Sequence, residues 1–561
     1  MSLLFYSFSF GQNITHTEML GRPGRTGISI KAIFDTAVEV RADYGTTSGV
    51  YTDSTLWQSV FPDSTGEAVA VVNLTGLLPD TKYFYKLRYR KPGSINIVER
   101  PEYTFHTARP QGESFTFTVQ ADPHLDAQTD TALYRRCLRN QFEDAPDFMI
   151  ELGDFLMTDK LKDSSNHVPE DTIPYRCKLL RSFYESLCHS VPLYIVLGNH
   201  EGEAGWYNNG TSKNMAVWDT KYRKKYFMNP VPDNFYAGDT THYNYVGQRE
   251  AYYSWEWGDA LFIVLDPYWN TKPKPDSLNC WRWALGKQQY DWLKYTLESS
   301  SSTFKFVFIH QLVGGNAEGR GGAEWANFYE WGGQNIDSTD GWAANRPGWY
   351  KPIKELLKEN HVNIFFHGHD HLFAEQQQNC LIYQEVPQPG LPSFNNIPQA
   401  IDYGYLNGVI IPNSGHLRVR VSPDSVTVDY VRALRPSQET GTLHNKDISE
   451  SYSIGAINCY DTLQNGFAEL PDKNELRVNV SPNPFNIQTL VNFSLQKADN
   501  VSITLHDFLG REVAVIFDDH CQPGSFSIPL NSNEPELKSG IYYLRITSGN
   551  EFQSMKIVCI H

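Results

Sequence analysis

Phe365-Phe366-His367-Gly368-His369-Asp370-His371 ends an apolar run that begins at Val362 and is broken only by Asn363. A short continuous apolar run reads as a buried strand, and this one stops at three histidines interleaved with Gly and Asp. On an extended backbone His369 and His371 point to the same side, because strand side chains alternate with period two. Gly368 lets the chain turn sharply and pass close to whatever lies beyond it. Two imidazoles converging at a strand end suit a divalent transition metal. Taken alone, the cluster fits an exposed polar turn equally well.

It is not alone. From Ser114 the pattern alternates strands with helical stretches, the signature of an α/β domain. A strand over 115–120 runs into Asp122 and His124. A helix over 131–143 leads to a strand over 148–152 that ends in Gly153-Asp154. A second helix, 176–188, leads to a strand over 193–197 that ends in Gly198-Asn199-His200-Glu201. Residues 261–265 run into Asp266, and 304–309 into His310. Ligand sites in α/β folds lie beyond the carboxyl ends of strands, and here strand after strand ends in a side chain able to hold a metal. Long insertions rich in Trp, Tyr, Asn and Gly (202–249, 267–283 and 313–349) separate the strands, and loops of such length are usually lids or walls of a site. A β-rich segment over 415–431 closes the domain, and the polar stretch from 436 to 473 reads as a linker.

With 561 residues the chain is too long for one core. A formal charge of -16 argues against a nucleic-acid-binding surface, which needs a basic face. No apolar run reaches the roughly 18 residues of a membrane helix. Residues 1–12, Leu- and Phe-rich with small residues at the end, read as a signal-peptide remnant or tag; a first β-strand is the competing reading. The 8 cysteines are scattered and contain no CxxC pair, which excludes a zinc ribbon and permits one or two disulfides.

Residues 13–109 show short alternating runs separated by Gly, Asp and Ser turns, as a β-sandwich requires. The segment Leu77-Leu78-Pro79-Asp80-Thr81-Lys82-Tyr83-Phe84-Tyr85 resembles the tyrosine corner of fibronectin type III domains, where a tyrosine hydroxyl ties back to upstream backbone. At the other end, Ser481-Pro482-Asn483-Pro484-Phe485-Asn486, Gly510-Arg511-Glu512-Val513 and Leu537-Lys538-Ser539-Gly540-Ile541-Tyr542-Tyr543 resemble the C-terminal sorting domain of the bacterial type IX secretion system, a small Ig-like sandwich placed here at 474–561. That resemblance implies a Bacteroidetes-type source, export to the cell surface or medium, and the secretion machinery as a partner.

In order, Asp122-x-His124, Gly153-Asp154, Gly198-Asn199-His200-Glu201, His310 and Gly368-His369-Asp370-His371 resemble the five motif blocks of the calcineurin-like metallophosphoesterases. The resemblance implies a catalytic domain at 113–435 built as a four-layer α/β sandwich, two mixed β-sheets flanked by helices. It lies between the fibronectin-like and Ig-like sandwiches. It also implies two divalent cations, Mn, Fe or Zn: Asp122, His124 and His371 would hold the first, Asn199, His310 and His369 the second, and Asp154 would bridge. Such a pair sits ~3.5–4 Å apart, and a hydroxide between them would attack phosphorus in line. His200 would protonate the leaving oxygen, and Glu201 or Asp370 would orient ligands from behind or lie on the surface. His367 is the less favoured ligand of the histidine cluster.

The fibronectin-like domain makes purple acid phosphatases the nearest relatives by layout. Those enzymes have Gly where this chain has His124, and Tyr where it has Met157, so no tyrosinate chromophore and a colourless protein are expected. Arg320 and Arg346 are candidates for gripping a phosphate bidentately, each with a structural salt bridge as the alternative. His416 is a candidate for the mouth of the site. Trp325, Tyr329, Trp331, Trp342 and Trp349 form either an aromatic wall for a flat group or ordinary loop packing. The reading is a secreted phosphoesterase acting on a small phosphate ester, a phosphomonoesterase first and a phosphodiesterase or nucleotide pyrophosphatase second. A non-catalytic surface binding protein with a structural metal is the alternative from another class. A spare His200 beside a full ligand set argues against it, because structural sites close their coordination.

Overall fold

Two β-sheets face each other with helices outside them, in a computed structural model that describes residues 14–393, 397–456 and 477–559 apart from 496, 507–510, 534–536 and 550. The leader expected at 1–12 and the last part of the expected linker lie outside the described residues. The chain divides into two units, one running through Asp461 and one from Thr462.

The first sheet of the catalytic domain has six strands in the order Leu193–Ile195, Phe148–Glu151, Phe115–Gln120, Gly415–Val421, Ser425–Arg432 and Ile448–Gly455. Its first three strands are parallel and end level, with Gln120 beside Glu151 and Glu151 beside Ile195. The second sheet has eight strands. Among them Ala260–Val264, Phe304–Phe308 and Ile364–His367 are parallel, with Val264 beside Phe308 and Phe308 beside Phe366. The period-two alternation of these strands explains the layering. Phe115, Phe117 and Val119 from one sheet meet Phe262, Phe306, Phe308 and Phe366 from the other in a dry core, each fully buried Phe contributing about 1.5–3 kcal/mol. The intervening Val307, Ile309 and Phe365 turn outward to pack beneath the helices Lys287–Ser299 and Ile353–Glu359. On the far side Met149, Leu193 and Ile195 pack against Leu138 and Leu180 of the helices Thr131–Glu143 and Thr172–Tyr184. The first of those helices starts cleanly because Asp130 accepts the N–H groups of Ala132 and Leu133 at 2.9 and 3.0 Å.

The N-terminal sandwich pairs Ile14–Gly21, Gly27–Phe34 and Ala68–Thr75 in one sheet, and Val38–Gly45 and Lys82–Arg90 in the other. Its tyrosine corner is present: the Tyr83 hydroxyl accepts the Leu78 N–H at 2.9 Å. Buried cations bolt this sandwich to the catalytic domain. Lys31 Nζ donates to the carbonyls of Phe227 and Lys224 at 2.7 and 2.8 Å, and Arg181 Nη2 to that of Thr17 at 2.7 Å. The second unit is also a two-sheet sandwich, three strands facing four, with Val491, Ile503, Leu544 and Ile557 inside.

Two expectations change. The stretch from 436 is not a plain linker, because Ile448–Gly455 is the sixth strand of the first sheet and packs Tyr452 and Ile454 on the core. A truncation after Ala456 is therefore expected to keep the wild-type melting temperature and activity. One after Arg435 bares the edge of the strand Ser425–Arg432 and is expected to melt earlier, as differential scanning calorimetry would read. Asp266 joins no metal site: Arg249 Nη1 pairs with it at 2.6 Å, and Arg249 and Arg223 also hold Glu203. Of the described cysteines, 137, 177, 188, 280 and 521 are free and Cys380 is disulfide-bonded. No helix among the described residues is long and apolar enough to cross a membrane.

Candidate metal centre

Because the parallel strands of both sheets end at the same edge, five ligand-bearing loops meet there. Asp122, Asp154 and Asn199 come from the first sheet, and His310, His369 and His371 from the second. The ligand atoms of Asp122, His124 and His371 lie within 4.8 Å of one another, and so do those of Asp154, His310 and His369. Asp154 stands between the groups: its Oδ2 is 3.2 Å from His310 Nε2 and 3.9 Å from His124 Nε2. Two glycines make the approach possible. A Cβ on Gly198 would sit 2.3 Å from Asp154 Oδ1, and one on Gly368 would sit 2.8 Å from Asp122 Oδ2.

The backbone of the opening motif is not extended. His369 has φ 81° and His371 φ 60°, both left-handed, so the two rings part and serve different clusters instead of sharing a face. Asp122, His124 and Asp154 are left-handed as well, with φ of 57°, 49° and 54°. Each such residue costs about 1–3 kcal/mol and persists only where its surroundings over-determine it. Those surroundings are visible. Glu201 accepts the N–H groups of Asp154 at 3.0 Å, Leu156 at 2.9 Å and Gly198 at 2.5 Å, so it fixes two ligand loops rather than an imidazole. Asp122 Oδ2 accepts the His369 N–H at 2.9 Å.

Ring tautomers follow from carbonyl and carboxylate partners, which only accept. His310 Nδ1 donates to Leu152 O at 2.7 Å, which turns Nε2 toward Asp154. His369 Nε2 donates to Glu318 O at 2.8 Å, leaving Nδ1 for a cation. His124 Nδ1 faces Asp126 Oδ2 at 3.5 Å. Burial pushes the Asp122 carboxyl up, but His310 and His371 prevail and hold it well below the usual carboxylate range. Burial likewise opposes ionisation of Asp154, and His310 and His200 prevail there too. Burial first and Arg320 second hold His369 well below the ordinary histidine value, so its ring is neutral at neutral pH. Burial and the charge of Asp154 push Glu201 up to about 7.

The residues fit a pair of cations on a direct observation. Asp122 Oδ1, His124 Nε2, Asn199 Oδ1 and His310 Nε2 are all buried without a hydrogen-bond partner among the described residues. Orphaned buried polar atoms are rare and costly; Asp122 Oδ1 stands 3.6 Å from His124 Nε2 and 3.8 Å from His310 Nε2, and a cation among them would take their lone pairs.

His200 stands beside the cage and is partly exposed. Its Nε2 is 3.9 Å from Asp154 Oδ2, its N–H donates to Asp154 Oδ1 at 2.8 Å, and its Nδ1 donates to Asp159 Oδ1 at 2.8 Å. Asp159 and Asp126 are the residues that sequence reasoning missed. Each is a second carboxylate in a ligand loop, five residues after Asp154 and four after Asp122, and that proximity was the available signal.

The other expected site residues lie elsewhere. Arg346 is spent on Glu330 and on the carbonyls of Trp281 and Trp283 at 2.7 and 3.0 Å, so it grips no substrate. Arg320 is engaged with the His369-Asp370 loop. His416 is fully buried against Asp144 at 2.8 Å and lines no mouth. Buried His367 pairs with Glu385 at 2.7 Å and joins neither cluster. Trp331 is core, and Trp325, Trp342 and Trp349 pack against the same core, so the aromatic loop is packing.

Two ligand clusters with Asp154 between them, at the carboxyl edge of two facing sheets, suit a metal-dependent phosphoester hydrolase. Comparison with known families places the chain. Residues 115–373 match the calcineurin-like phosphoesterase family, and residues 479–560 match the secretion system C-terminal sorting domain. The chain therefore carries a calcineurin-like phosphoesterase domain followed by a type IX sorting domain, and it is exported. Similar solved structures include the purple acid phosphatase PPD1 of yellow lupin (Lupinus luteus) seeds. It is 14% identical, with a TM-score of 0.52, over 78% of this chain and 74% of that one. A structure of PhoD is 16% identical, with a TM-score of 0.55, over 81% of this chain and 92% of that one. At these identities the likeness concerns the fold. No curated protein sequence matches the chain.

Proposed function

We propose that the chain is a secreted phosphomonoesterase that holds two cations from the group Mn, Fe and Zn. Asp122, His124 and His371 would hold the first, Asn199, His310 and His369 the second, and Asp154 would serve both. The observation that carries this reading is the set of orphaned lone-pair atoms, Asp122 Oδ1, His124 Nε2 and His310 Nε2 around Asp154, with Asn199 Oδ1 also orphaned. Bound there, the cations supply a water-derived nucleophile at neutral pH and neutralise charge on the phosphoryl oxygens. The protein's own part is orientation and proton transfer. Asp159 fixes the proton of His200 on Nδ1, so Nε2 faces the site and, once protonated, delivers its proton to the leaving oxygen.

The monoester preference is supported by layout, a fibronectin-like sandwich ahead of the phosphoesterase domain, and by the likeness to a purple acid phosphatase. One observation favours a phosphodiesterase instead: both arginines expected to pair with a dianionic phosphate are engaged with protein groups. Turnover of p-nitrophenyl phosphate against bis-p-nitrophenyl phosphate, with Mn, Zn and Fe added in turn, tests the choice. Faster monoester turnover supports the proposal, and faster diester turnover replaces it with the second reading. Met157 stands three residues after Asp154 and cannot supply a phenolate. The iron-loaded protein is accordingly expected to lack a visible charge-transfer band, and a purple protein would refute that expectation.

A further inference from the structure

The segment 318–321 makes four hydrogen bonds to the loop that carries His369. The Glu318 carbonyl fixes the His369 ring through Nε2 at 2.8 Å. Arg320 Nη1 donates to the His369 carbonyl at 2.8 Å and to Asp370 Oδ1 at 3.0 Å, with its guanidinium 4.5 Å from the Tyr403 ring. The Gly321 N–H donates to Asp370 Oδ2 at 2.8 Å. Tyr405 donates to the same oxygen at 2.8 Å, and the Asp370 N–H is taken by Glu385 at 3.0 Å. Asp370 is buried, so its oxygens depend on these partners and not on water.

A non-glycine residue at φ 81° reverts to a commoner conformation unless its peptide groups are held from outside. For His369 the carbonyl, the next amide and the ring nitrogen remote from the cage are each held. We propose that Arg320, Asp370 and Tyr405 are positioning residues that set cation affinity at the second cluster, a proposal that rests on the dinuclear reading above. In the first cluster only His371 lies on this loop; Asp122 and His124 follow the strand Phe115–Gln120, with His124 facing Asp126, and this cluster is expected to keep its cation when the brace is cut.

The test compares wild type, Arg320→Met, Asp370→Asn and Tyr405→Phe by metal content after dialysis against graded chelator, with melting temperature and steady-state kinetics alongside. Loss of an outer partner of a metal ligand typically costs about 10–100-fold in affinity. In Arg320→Met and Asp370→Asn the second cation is expected to leave at a chelator concentration lower by about that factor, while the first stays. kcat should fall and KM change little. Tyr405→Phe removes one donor and is expected to shift in the same direction by less; it carries the test if the other variants do not fold. Variants that keep both cations at the wild-type chelator midpoint, or lose both together, overturn the proposal. A wild-type chain that never holds two cations overturns the dinuclear reading and this proposal with it.

Discussion

Asp154→Asn is expected to lower turnover by about 10³–10⁴-fold, the rate equivalent of losing several kcal/mol of two-metal stabilisation. The substitution changes charge and little else. Asn keeps an oxygen for the His200 N–H, which Asp154 Oδ1 accepts at 2.8 Å, and the backbone tie to Glu201 is untouched. What disappears is the ionised oxygen lying 3.2 Å from His310 Nε2 and 3.9 Å from His124 Nε2, a group placed between a histidine of each cluster. Metal content is expected to fall below two per chain while the far-ultraviolet circular dichroism stays that of wild type. A folded variant with both cations and near wild-type kcat would show that the carboxylate does not bridge.

His200→Ala is expected to lower kcat by about 10²–10⁴-fold, the usual contribution of a positioned general acid. The size should depend on the leaving group. p-Nitrophenolate departs with little need of a proton and shows the low end, whereas an alkyl phosphate, whose alkoxide must be protonated, shows the high end. Metal content is expected to remain two, because His200 belongs to neither ligand cluster. Asp159→Asn keeps the ring in place with a weaker partner and should give a smaller loss with the same leaving-group trend. Equal losses on aryl and alkyl esters would mean that His200 binds substrate but transfers no proton.

Much of the site was legible because each block ends a hydrophobic strand, and a strand end is a place the periodicity itself marks. Asp122, Asp154, Asn199 and His310 emerge where the apolar runs stop. The two sheets and their facing phenylalanines follow from the same alternation. The local reading failed where geometry is imposed from a distance. Alternation put His369 and His371 on one side, yet left-handed backbone at both sends them to separate clusters, and the groups that hold that backbone come from residues 318–321, 385 and 405. Arg320, Arg346 and His416 are of the right chemical type for phosphate, but nothing in the sequence around them reveals that Asp370, Glu330 and Asp144 lie within reach. The polar strand Ile448–Gly455 was hidden for a related reason: as an edge strand it has one neighbour and little need of apolar residues.

The most direct test of the account is the metal content of the chain purified without chelator, measured by elemental analysis and repeated after stripping and reconstitution. The account predicts two transition-metal ions per chain, activity lost on stripping and restored on return of the metal. A chain that holds no metal, or is equally active without it, would contradict the account.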